Sequence, residues 1–99
     1  MKLHLKGWLL VRLLQHGAAW DAELAAAARA EYGPATRLGG ICLALEELAS
    51  GGLVQRLSER LLEIPAAAAP RLSFRYVLTP FGAQRMHDTG LLPIQEQVR

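Results

Sequence analysis

The chain has 99 residues, 52% of them hydrophobic and 20% charged, with a net charge of +2. This is enough for one compact domain and too little for two, and it is too apolar for a disordered chain. The weak positive balance permits nucleic-acid binding without demanding it, and the single Cys42 excludes an intrachain disulfide framework and fits a cytoplasmic protein.

Leucine (19) and alanine (16) dominate, a helix-former's composition. The opening MKLHLKGWLL sets two lysines before apolar residues, in the manner of a secretion signal. Arg12, Gln15 and His16 interrupt it and no cleavage pattern follows, so it reads as a helix that stays with the domain. The helical pattern covers residues 3–15 and stops at Gly17. Asp21 stands where an N-cap belongs, with Glu23 in the first turn of an alanine-rich second helix over 22–30 that ends before Gly33-Pro34.

Thr36 opens a third helix, whose expected buried stripe is Leu38, Ile41, Cys42, Leu45, Leu48 and Ala49. The outward face is then Arg37, Gly40, Leu43, Ala44 and Glu47, and Gly51-Gly52 end the helix. A short strand is expected over 53–57. Residues 58–70, with Pro65, four consecutive alanines and Pro70, read as a long connection or loose hairpin tip, with room for a helical turn over 59–64. Leu72, Phe74, Tyr76 and Leu78 alternate with Ser73, Arg75 and Val77, a strand signature. Thr79-Pro80 starts a last helix that turns Phe81, Ala83 and Met86 inward and ends by Gly90. The expected organisation is one domain over 1–90 and a short tail over 91–99. No apolar run approaches the ~20 residues of a bilayer span, so no membrane partner is expected.

Three helices followed by a two-stranded hairpin and a short helix is the winged helix-turn-helix layout, an α+β fold that is mostly α. Two segments carry a further likeness. GGICLALEELASGGLV over 39–54 and RYVLTPFG over 75–82 resemble the PadR-type transcriptional regulators, a winged-helix family, and are similar to the wider MarR-like group. Gly39, Leu45, Leu48, Gly52, Leu53, Val54, Tyr76, Leu78, Thr79 and Gly82 fall at the family's positions, and the likeness spans roughly residues 7–88.

The resemblance implies a sequence-specific DNA-binding regulator of transcription that acts as a homodimer. Thr36, Arg37, Gly40 and Leu43 would lie on the recognition helix, and Arg56, Arg60, Arg71 and Arg75 around the wing would hold the phosphates of double-stranded DNA. The family dimerises through a long C-terminal helix, for which 91–99 is too short, so the dimer contacts are expected at Leu3, Leu5, Leu91 and Leu92. Other departures are Cys42 in place of an aromatic, Glu46 and Glu47 in place of basic residues, and an apolar wing tip. They point to an alternative: a winged helix that binds a protein partner through the apolar wing and no DNA.

Other chemistries find little footing. His4, His16 and His87 with Cys42 match no zinc spacing. No nucleophile–base pair, paired carboxylates or phosphate-cradling loop stands out, so neither an enzyme nor a cofactor is expected. Trp8, Trp20 and Tyr32 could line an effector pocket, but core packing for Trp8 and a helix-junction anchor for Trp20 are the simpler reading.

Overall fold

Four helices and three strands occupy residues 4–62 and 70–91, the part of the chain that the computed structural model describes. Their order is α1 (Leu5–His16), β1 (Ala19–Trp20), α2 (Asp21–Tyr32), α3 (Leu38–Ser50), β2 (Val54–Leu62), β3 (Arg71–Leu78) and α4 (Pro80–Asp88). The strands form one antiparallel sheet in the order β1-β3-β2. Over the described residues this is an α+β domain, mostly helical.

The three long helices pack through faces set by the helical repeat. Leu9, Leu10 and Leu13 of α1, Leu24, Ala25 and Ala28 of α2, and Ile41, Ala44, Leu45 and Leu48 of α3 are buried together with Val54, Tyr76 and Met86. Each fully buried leucine contributes roughly 1.5–3 kcal/mol. Gly17 ends α1 with a φ of 81°, which favours glycine, and its N–H donates to the Leu13 carbonyl at 2.9 Å.

The buried face of α3 differs from the expected stripe. Ala44 points inward at 5% exposure while Cys42 is only half-buried. Ile41, Ala44, Leu45 and Leu48 follow the i, i+3, i+4, i+7 rhythm, and Cys42 sits about 100° round the helix from Ile41. The helix also starts at Leu38 with Arg37 in the cap position, so Thr36 lies ahead of it.

The sheet is larger than alternation alone suggests. β1 has two residues, Ala19 and Trp20, paired with Tyr76 and Arg75. Strand β2 continues to Leu62, well past the expected end at residue 57. Residues 55–61 of β2 are exposed, so no apolar–polar alternation marks them as a strand. Between Arg56 and Ser58 the ladder slips by one residue, leaving Leu57 as a bulge. The expected apolar tip over 66–69 lies outside the described residues.

A tight joint closes the domain. Thr79 caps α4, its Oγ1 accepting from the Gly82 N–H at 2.9 Å and donating to the Gly52 carbonyl at 2.6 Å, with the Leu53 carbonyl at 3.1 Å. A Cβ on Gly82 would overlap the Leu53 carbonyl oxygen and lie 2.9 Å from its carbon and from Leu78 Cδ1. The Thr-x-x-Gly spacing is therefore a packing requirement: the threonine ties α4 to the start of β2, and the missing side chain lets the two touch. Gly82 and Met86 form the buried side of α4. Phe81, expected inward, is consequently turned out at 55% exposure.

Candidate nucleic-acid interface

The outward face of α3 begins at Arg37, which is exposed, and continues through Gly40, Leu43, Glu46 and Glu47. Leu43 is 58% exposed, more than any other α3 hydrophobic. Thr36 holds the approach to this helix, its carbonyl accepting from Arg29 Nε at 3.2 Å. Glu47 pairs with Lys6 of α1 at 2.8 Å, both ends solvent-accessible. The face thus carries one cation at its N-terminal end and two carboxylates in its second half, as the residue order implies.

The four hairpin arginines, equivalent in the sequence, separate into different environments. Arg56 on β2 lies over the Phe74 ring at 3.7 Å from its centroid and donates to the Tyr76 hydroxyl at 3.1 Å. That hydrogen bond raises its pKa above the ordinary arginine value, outweighing the effect of burial. Arg60 lies over the Trp20 ring at 3.9 Å. Four residues apart, these two would share a face of a regular strand. The Leu57 bulge separates them: Arg56 stands opposite Tyr76 and Arg60 opposite Ser73, three residues apart on β3 and so on opposite faces. Arg75, paired across to Ser58 and Trp20, is half-buried.

Arg71 is engaged inside the fold. Its Nη2 bonds Asp21 Oδ1 at 2.8 Å, and its side chain is 23% exposed. Asp21 has no exposed surface. Besides Arg71 it accepts from Ser73 Oγ at 2.6 Å, from the Phe74 N–H at 3.2 Å and from Cys42 Sγ at 3.6 Å. Burial pushes the Asp21 carboxyl up, but the bonds from Ser73, Arg71 and the Phe74 N–H together outweigh it and hold the carboxyl below its usual range. The cluster fastens the first turn of α2 to β3.

This corrects the expected N-cap. The cap residue is Trp20, whose backbone N–H donates to Glu23 Oε1 at 2.9 Å, and Asp21 is the first residue of the helix with its side chain turned to the sheet. Burial, then the neighbouring Asp21 charge, raise the Cys42 thiol pKa and keep the thiol protonated.

Sequence reasoning misses two residues of this region. Trp20 is read as a helix-junction anchor, yet it presents its ring to Arg60. Ser73 falls with Arg75 and Val77 on the strand side opposite Leu72, Phe74, Tyr76 and Leu78, yet it is fully buried on Asp21. A lone aspartate at the head of an alanine helix and a lone serine in an apolar strand are the available signals, and neither names its partner. Trp8 and Tyr32 do meet, ring edge to face at 5.9 Å and 80°, while the Trp20 ring meets Arg60.

Of the expected dimer residues, Leu5 packs half-buried against the domain's own core and Leu91 lies against Gly7 of α1. Leu3 and Leu92 lie outside the described residues. Among the described residues no group of three or more histidine, cysteine or carboxylate side chains is placed to hold a metal, and no helix is long and apolar enough to cross a membrane. Compared with family models, with curated proteins and with solved structures, the chain matches none.

Proposed function

We propose that this domain is a winged helix that binds double-stranded DNA as a homodimer and regulates transcription, in keeping with the PadR-type resemblance of its sequence. Helix α3 enters the major groove with Arg37 leading. Gly40 and Leu43 follow it on the same exposed face, and the hairpin arginines hold the phosphate backbone. One observation carries the reading. The hairpin that follows α3 carries two guanidinium groups, Arg56 and Arg60, that lie on aromatic rings with no carboxylate at ion-pair distance among the described residues. Phosphate oxygens are the natural partners of such groups. Arg71, bound to Asp21, belongs to the frame and does not take part in binding.

Arg37→Ala should weaken binding to a specific duplex by about 1–3 kcal/mol, the usual value of a good base contact. Unchanged affinity would remove Arg37 from the interface.

A second reading, a protein-interaction module without DNA binding, has its own support. Glu46 and Glu47 are exposed on α3, and Leu61 and Leu72, paired across the hairpin, are 66% and 41% exposed. Under that reading, Glu46→Lys with Glu47→Lys creates duplex binding that the parent lacks. A parent that already binds duplex DNA counts against it.

A further inference from the structure

We infer that Trp20 is a positioning residue for the DNA contact of Arg60, an inference that rests on the DNA-binding reading above. In the strand order β1-β3-β2, Trp20 and Arg60 lie on the two outer strands. Trp20 pairs with Arg75 and Arg60 with Ser73, so they are diagonal neighbours across β3. The Arg60 side chain reaches across the middle strand to lie on the indole, 3.9 Å from its centroid.

Trp20 is itself fixed from two sides. Its backbone is in the β1 ladder, and its backbone N–H is held by Glu23 at the start of α2. Arg60 is exposed, and among the described residues no carboxylate is within ion-pair distance of it. A long cationic side chain in that situation normally samples many rotamers, and binding must then meet the entropy of fixing one. Stacking on an aromatic face removes that freedom beforehand. It also leaves the N–H edge of the planar guanidinium directed away from the ring, free for phosphate oxygens.

The Leu57 bulge gives this arrangement its direction. Without it, Arg60 would stand on the face that Arg56 occupies over Phe74, away from Trp20. With it, each face of the hairpin carries one ring-held guanidinium.

The test measures binding of the full chain to a mixed-sequence DNA duplex at 50 and 200 mM salt. Freeing one phosphate from its cation reduces the affinity ratio between those two salts by about threefold. Arg60→Ala should show that reduction. Trp20→Leu should weaken binding and lower the salt ratio in the same direction, although it changes no charge. The double variant should bind no worse than Arg60→Ala alone, and Trp20→Phe, which keeps a ring, should recover most of the affinity. Thermal melting reports separately on folding. Arg60→Lys keeps both the charge and the indole, so it bears on the stack even if Trp20→Leu does not fold: it should fall short of the parent.

Three results would overturn the inference alone: a folded Trp20→Leu with the parent's affinity and salt ratio, Arg60→Lys equal to the parent, or additive effects in the double variant. A parent that fails to bind at either salt overturns the DNA-binding reading, and the inference with it.

Discussion

Arg71 and Arg60 stand on neighbouring strands of one hairpin, and a sequence reading treats them alike. Arg71 meets the buried carboxylate of Asp21; Arg60 meets the face of Trp20. The difference decides what each can do. A guanidinium neutralising a fully buried carboxylate cannot leave it without stranding a charge in the interior, so Arg71 is fixed to the frame. A guanidinium on an indole keeps its charge and its hydrogen-bonding edge available, so Arg60 is free to meet an anion. The same contrast separates the two strands: β3 is docked by Asp21 through Arg71 and Ser73, while β2 opposite it is exposed at Leu57 and Leu61. A two-stranded arm is marginal alone and depends on that docking.

Breaking the dock should have the largest effect. Asp21→Ala strands Arg71 and leaves Ser73 and the Phe74 N–H without their acceptor, an expected loss of about 3–5 kcal/mol in denaturant unfolding. The same group sets an acid limit. Because the folded state holds the Asp21 carboxyl below its usual value, its contribution is fully present above about pH 4, the unfolded value. It is lost as the pH falls through the lower, native one. Asp21→Asn should remove that part of the acid dependence. A parent and variant that lose stability in parallel between about pH 5 and pH 2 would contradict the assignment.

The joint at α4 comes next. Gly82→Ala drives a methyl into the Leu53 carbonyl, and neither α4 nor β2 can yield without loosening the Thr79 cap; the expected cost is about 1–3 kcal/mol. An unchanged melting temperature would mean that α4 shifts freely on the sheet.

The smallest stability effect falls at Arg60. Arg60→Ala removes a ring contact at the surface, worth about 0.5–1 kcal/mol, and should leave the melting temperature nearly unchanged while lowering the salt dependence of DNA binding. Arg71→Ala should do the reverse.

The helices, their glycine stops and the Thr79–Pro80 start are legible in the sequence because each signal is local. The helical repeat likewise leaves Arg37, Gly40 and Leu43 on the outward face of α3, where they stand. The Asp21 cluster is not legible, because its partners are some 50 residues away: Arg71 at a separation of 50 and Ser73 at 52. An aspartate before an alanine helix is locally a good cap, and only the approach of β3 turns it to another use. β2 escapes recognition for a different reason. A strand exposed along both faces shows no alternation, and its Ser58, Glu59 and Arg60 look like a loop. The bulge at Leu57, which puts Arg56 and Arg60 on opposite faces, depends on pairing with β3, and nothing in VQRLSERLL announces it.

On the proposed reading, the exposed face of α3 meets the major groove of DNA and the ring-held hairpin arginines meet its phosphate backbone. The most direct test is equilibrium binding of the parent chain to duplex DNA at low and moderate salt, with mixed-sequence DNA and the chain's own upstream region as probes. The expected result is binding that falls steeply with salt and is several-fold tighter for the upstream region. Negligible binding to both at low salt would contradict it and turn attention to a protein partner at Leu43, Leu61 and Leu72.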